Sequence, residues 1–147
     1  MDILQKLYKG VTTVSAVETE YIARHLAVRI PPNHTLALYG DLGVGKTTFV
    51  RGLARAWNIK EPITSPTFNI LSVYQGYRNL LHLDAFRLEN ESQAEALMLE
   101  EWLNPPWCLV VEWPQNLGGM LPLNSWSLYV DILPKGCRRM LLRHTDT

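Results

Sequence analysis

The stretch GDLGVGKTT, residues 40–48, restricts what this chain can fold into more than any other. Gly40, Asp41, Leu42, Gly43, Val44, Gly45, Lys46 and Thr47 follow the pattern G-x-x-x-x-G-K-[ST] without deviation, and Thr48 adds a further hydroxyl. Glycines accept positive φ, so successive backbone N–H groups can turn inward on one anion, and the missing side chains let a phosphate come close. The flanks agree. HTLALY, 34–39, is a short apolar run that ends at a glycine and reads as a buried strand. Phe49, Leu53 and Trp57 recur at i+4 spacing, so 45–57 reads as an amphipathic helix. Strand, glycine loop and helix in that order form a phosphate cradle. The helix start adds its positive end, Lys46 brings a full charge to the terminal phosphates, and the Thr47 hydroxyl can ligate Mg²⁺. A glycine-rich turn beside a surface lysine is the plain alternative, and it leaves the flanks without a reason. No N/T-K-x-D tetrapeptide, the usual mark of guanine specificity, occurs in the chain, so the expected nucleotide is ATP, with ADP as its product.

Such a cradle needs a carboxylate to help hold the metal, normally where an apolar strand ends. CLVVE puts Glu112 at such an end, and LLHLD does the same for Asp84. Ligands of open α/β sheets lie beyond the carboxyl ends of the strands, so both acids can reach the phosphates. The alternative for each is to cap a following turn or to pair with an arginine such as Arg87. Between the glycine loop and these acids lies TSPTF, 64–68. Pro66 stiffens it, and Ser65 and Thr67 offer hydroxyls where GTPases carry a loop that senses the γ-phosphate. Read alone, the same segment is a turn and the start of a strand.

The rest of the chain reads as strands alternating with helices. Ser15 and Glu18 fit a capping box, Ile22, Leu26 and Ile30 follow on one helical face, and Pro31 and Pro32 stop the helix. TFNILSVY and NLLHLD, separated by QGYR, read as a hairpin. Ser92 is expected to cap a helix carrying Ala96, Leu99 and Leu103 on one face. CLVV, 108–111, has no polar position, as a strand covered on both faces would show. WSLYVDI alternates, PKG turns the chain and RRMLLRH returns, which suggests a second hairpin with one wet face. These elements predict an α/β fold: one P-loop NTPase domain over 1–147, with a mixed, mostly parallel central sheet flanked by helices.

Composition sets the remaining bounds. The net charge is zero and the pI about 6.9, so the strongly basic footprint of a nucleic-acid binder is absent. Charged residues are only 19%, which hints at a face covered by a partner. Cys108 and Cys137 belong to no CxxC pair or Cys/His cluster, so no zinc site is expected, and Cys108 reads as a buried thiol. MDILQKLYKG is too polar for a signal peptide, and no apolar run approaches a membrane span, so a soluble, cytoplasmic protein is expected.

Taken in order, GDLGVGKTTFVRGLARAW, SPTFNILSVY, LLHLDAFRL, LEEWL and VVEWP resemble the bacterial TsaE family, also called YjeE, of tRNA threonylcarbamoyladenosine biosynthesis. The resemblance runs over 35–114. It implies a P-loop ATPase, slow alone and stimulated by partners, that acts with TsaB and TsaD in a TsaBDE complex and resets that pair between turnovers. Carried over residue by residue, Lys46 and Thr47 keep their P-loop roles, with 40–48 and Ser65 against the nucleotide. Glu112 matches the metal-associated glutamate and joins Thr47 on Mg²⁺. Asp84 matches the acid of the H-x-D-x-Y-R motif, and Ser65, Pro66 and Thr67 match a switch-like loop. Lys46, Thr67, Asp84 and Glu112 are therefore the candidate catalytic set. Trp113 matches a tryptophan that follows the glutamate, at the edge of the nucleotide site or packed in the core. The segment 11–13 would lie near the adenine. Phe86 departs from the motif's tyrosine, and Gln115 from an acid frequent after EWP. The resemblance leaves direct contact with tRNA open. Two other classes fit a P-loop: a small nucleotide or metabolite kinase, and a module that senses ATP without turning it over.

Overall fold

The computed structural model describes residues 2–40, 46–64, 70–122 and 124–145. In chain order the elements are α1 (Ile3–Lys9), β1 (Val11–Thr13), α2 (Ala16–Ala27), β2 (His34–Tyr39), α3 (Lys46–Ala56), β3 (Leu71–Tyr74), β4 (Asn79–Asp84), α4 (Glu91–Glu95), β5 (Trp107–Glu112), β6 (Ser125–Ile132) and β7 (Arg138–Thr145). Short 3₁₀ segments occupy Leu99–Trp102, Pro114–Met120 and Pro134–Gly136. The strands form one sheet in the order β1-β7-β6-β2-β5-β4-β3. β6, β2, β5 and β4 pair in parallel, and β1–β7, β6–β7 and β3–β4 pair antiparallel. β1 therefore runs with the parallel set, and only β7 and β3 run against it. This is the mixed, mostly parallel α/β sheet expected from the sequence, with both predicted hairpins in place.

Side-chain alternation sorts the sheet into two faces. Leu36 and Leu38 of β2, Leu80 of β4, Cys108 and Val110 of β5, and Leu128 of β6 join one apolar cluster with α1, α2 and α3. Leu81, Leu83, Leu109 and Val111 join a second cluster under α4 and the 3₁₀ segments. β5 is apolar at 107–111 because it is central and covered on both sides. Burial pushes the Cys108 thiol up to about 12, which fits the buried thiol expected there.

The capping box holds with one adjustment. Ser15 accepts from the Glu18 amide at 3.2 Å, while the Glu18 carboxylate accepts from Val14 N, one residue before the cap. Two expectations change. Asn90, not Ser92, caps α4, accepting from Gln93 N at 3.0 Å. The helix is also broken: Met98 takes a left-handed φ of 52°, so Leu99 and Leu103 reach the second cluster from beyond a kink. In β6, Ser125, Trp126, Ser127 and Leu128 are all buried, and a wet side opens only from Tyr129. The strand lies inside the sheet, beside β2, rather than at an edge. Neither α1 nor β1 was located by sequence patterning. No helix among the described residues is long and apolar enough to cross a membrane.

α3 is seated by a close approach. A Cβ on Gly52 would come within 2.6 Å of both Ala23 Cβ and the Glu20 carbonyl oxygen of α2. On an exposed helix, Gly→Ala stabilises by about 1 kcal/mol. At Gly52 overpacking of about 1–3 kcal/mol opposes that gain. Gly52→Ala is therefore expected to lower the urea midpoint. A raised midpoint would mean that α2 and α3 do not pack this closely.

Candidate nucleotide site

Three parallel strands end at the same edge of the sheet. β2 ends at Tyr39, followed by Gly40. β4 ends at Asp84 and β5 at Glu112. Asp84 and Glu112 are cross-strand partners, and Leu38 is the partner of Glu112 on its other side. Alternation puts His82, Asp84 and Glu112 on the face covered by α3. Two further bonds tie the acid-bearing ends together: Ala85 N donates to Glu112 O at 3.0 Å, and the Asn116 amide donates to Ala85 O at 3.0 Å.

α3 delivers Lys46 into this corner. The side chain is 4% exposed, an unusual setting for an ammonium, and it is compensated on several sides. Its Nζ donates to the Gly40 carbonyl at 2.9 Å. It lies 3.8 Å from Glu112 Oε1 and 4.8 Å from the centre of the Trp113 ring. Glu112 is equally buried, and its other oxygen, Oε2, lies 2.6 Å from Nε2 of His82. His82 is fully buried, and its Nδ1 has no hydrogen-bond partner among the described residues. His82 is the histidine of the H-x-D-x-Y-R motif that Asp84 matches, but the sequence reading gave it no role. The signal was a lone polar residue two positions before Asp84 in an otherwise apolar run, which period-two alternation places on the same face as the acid.

Asp84 does what its turn-cap alternative described: Oδ1 accepts from Phe86 N at 3.0 Å. Glu112 pairs with Lys46 and His82, not with Arg87. Trp113 turns the chain straight after Glu112 with φ 57° and ψ 51°, a left-handed conformation that costs a bulky residue about 1–3 kcal/mol. Its ring packs on Phe86 at 5.0 Å, so the residue standing where the motif has tyrosine serves as an aromatic support. Thr47 and Thr48 are half-buried on the first turn of α3. Thr48 lines a cavity with Ser15, Ala16, Thr19, Gly136 and Arg138. β1 adjoins this cavity, since Thr13 Oγ1 hydrogen-bonds Thr19 Oγ1 at 2.8 Å. The structure thus brings Gly40, Lys46 and Glu112 together, with Asp84 in register beside Glu112. Asp41, Leu42, Gly43, Val44 and Gly45, with Ser65, Pro66 and Thr67, lie outside the described residues.

A hydroxyl at Thr47 and neighbouring carboxylates at Asp84 and Glu112 are hard oxygen donors of the kind Mg²⁺ takes. Among the described residues no group of three or more His, Cys, Asp or Glu side chains is arranged to hold a metal alone.

The family described as "Threonylcarbamoyl adenosine biosynthesis protein TsaE" matches residues 13–140. The chain belongs to the TsaE family. It is 40% identical over 119 residues to the tRNA threonylcarbamoyladenosine biosynthesis protein TsaE of Bacillus subtilis, covering 80% of this chain and 74% of that protein. It is 35% identical over 121 residues to the same-named protein of Rickettsia bellii, covering 81% and 83% respectively. Its fold is similar to the crystal structure of Bacillus subtilis YdiB, with a TM-score of 0.75, 28% identity, and coverage of 93% of this chain and 85% of that one. In this TsaE-family chain the matched stretch takes in every residue of the corner just described.

The cation–π contact makes Trp113 a reporter on Lys46. Lys46→Met is expected to change tryptophan emission in the ligand-free protein, and a Trp113→Phe background is expected to abolish most of that change. Equal changes in both backgrounds would place the Lys46 ammonium away from this ring.

Proposed function

We propose that this TsaE-family protein binds ATP with Mg²⁺, hydrolyses it slowly alone, and serves tRNA threonylcarbamoyladenosine formation by resetting a TsaB–TsaD pair between turnovers. The observation that carries the reading is the buried contact between Lys46 and Glu112, directly after the glycine motif and at the carboxyl ends of the parallel strands. A buried ammonium at the start of a helix, held by a carbonyl oxygen and a carboxylate at longer than hydrogen-bond distance, is poised to transfer to a phosphate.

In this reading the glycine loop and Lys46 bind the phosphates, and Thr47 and Glu112 hold the metal. Bound Mg²⁺ would neutralise charge on the phosphate oxygens. Asp84, with Oδ1 fixed by the Phe86 amide, helps orient the attacking water, and the Thr67 hydroxyl is assigned to sensing the γ-phosphate. The nucleoside is placed near β1, on the side of Thr48 where Ser15, Thr19 and Arg138 line a small cavity. Among the described residues after Glu112 there are 3₁₀ segments and a hairpin and no helix bearing arginines, which favours this reading over a self-sufficient kinase.

Charge-assisted contacts of the Lys46 kind are worth about 1.5–3 kcal/mol, or roughly 10- to 100-fold in affinity. Lys46→Ala is expected to weaken binding of a fluorescent ATP analogue by that factor. Thr47→Ala and Glu112→Gln are expected to impair Mg²⁺-dependent hydrolysis more than binding. Unchanged binding and turnover in Lys46→Ala would overturn the nucleotide site.

The partner role is tested separately, by phosphate release with and without TsaB–TsaD and by co-purification with ATP, ADP and no nucleotide. Stimulated hydrolysis and ATP-dependent recovery are expected, since linkage between nucleotide and partner is reciprocal. Equal recovery in all three conditions with no stimulation would remove the resetting role. Turnover with an added small acceptor would then bring the kinase forward.

A further inference from the structure

We infer that His82 is a positioning residue that fixes the rotation of the Glu112 carboxylate, committing Oε2 to the protein interior and keeping Oε1 for the nucleotide site. The inference rests on the ATPase reading above and goes beyond it, because His82 touches neither phosphate nor metal in that reading.

The placement follows from strand geometry. His82 sits within β4, between β3 and β5, with Val110 as its cross-strand partner on β5. Glu112 is two residues further along β5 on the same face, the diagonal neighbour that a long side chain can reach. The 2.6 Å separation of Nε2 and Oε2 places the two groups in direct hydrogen-bond contact. The ring's hydrogen-bonding pattern follows from its surroundings. A carboxylate oxygen accepts, so the contact to Oε2 makes Nε2 the donor, while Nδ1 has no partner among the described residues.

The consequence falls on Lys46. With Oε2 engaged, Glu112 presents one oxygen to the ammonium, and the 3.8 Å separation is too long for a hydrogen bond. Were the carboxylate free to rotate, both oxygens could close on Lys46 and hold it away from a phosphate. His82 thus keeps the buried pair loose enough for Lys46 to serve a nucleotide, and it keeps Oε1 aimed for metal. Partners that orient a metal ligand in this way commonly matter about 10- to 100-fold.

The test uses the full chain and three substitutions. His82→Gln retains a donor at about the reach of Nε2. His82→Asn places its donor too close to the backbone, and His82→Leu removes the donor at similar bulk. Nucleotide binding is measured at equilibrium with and without Mg²⁺, alongside kcat and KM. The imidazole ¹⁵N shifts of His82 are read in the wild-type protein. Expected are a protonated Nε2, and in His82→Asn and His82→Leu a loss of about 10-fold or more in kcat and in the Mg²⁺-dependent gain in nucleotide affinity. Gln should recover most of both. An Nε2 that carries no proton, wild-type behaviour in all three variants, or equal impairment of all three with and without Mg²⁺ would overturn the inference while leaving the ATPase standing. A wild-type chain that neither binds nor hydrolyses ATP would remove both readings.

Discussion

A lysine with almost no contact with water organises this molecule. An isolated ammonium taken out of water is strongly unfavourable, so everything around Lys46 has to compensate it. The Gly40 carbonyl accepts its proton, Glu112 supplies the opposite charge, and the Trp113 ring offers its electron-rich face. These three come from different elements: the end of β2, the last residue of β5 and the turn that follows it. A single buried charge thus requires two strand ends and a strained turn to meet at one point. The same features suit phosphate binding, because a partly compensated cation at a helix start can exchange a protein carboxylate for a ligand anion.

The two faces of the sheet are built differently, and the charged corner is on the better-braced one. α1, α2 and α3 cover the face that carries His82 and Glu112, and Gly52 lets α2 and α3 approach closely. The opposite face is covered by a five-residue α4 and 3₁₀ segments broken at Met98. Precise placement of Lys46 depends on α3, so tight α2–α3 packing is where rigidity serves the site. The short cover contributes differently: its segment Pro114–Met120 anchors through Asn116 to the turn after β4, which holds the two acid-bearing ends in step.

The local features were legible. The glycine motif, the strands at 34–39, 79–84 and around 108–112, and the helix after the loop follow from periodicity and from residues that permit only a few backbone conformations. The acids at 84 and 112 were legible because each ends an apolar run. The hidden features depended on context. Asn90 and Ser92 are both good caps, and only packing of the short α4 selects between them. The alternation in β6 looked like a wet face because period two reports side-chain direction, not what lies on each side. His82 stood in the quoted motif without a role because its partner is thirty positions away.

By itself, then, the sequence determined the element types and the chemistry available: a glycine loop followed by lysine and threonine, and carboxylates at strand ends. These are set by local sterics and periodicity, which act over a few residues and need no knowledge of the fold. Only the tertiary structure decided which charges neutralise one another. The parallel register of β4 and β5 sets Asp84 beside Glu112 and His82 on its diagonal, and the seating of α3 brings Lys46 to the carboxylate's other oxygen. Such pairings depend on distances of a few ångströms between residues far apart in the chain. Coulombic and hydrogen-bond energies in a buried corner change steeply over that range, so the assembled fold, and not the motif, fixes how the site is charged.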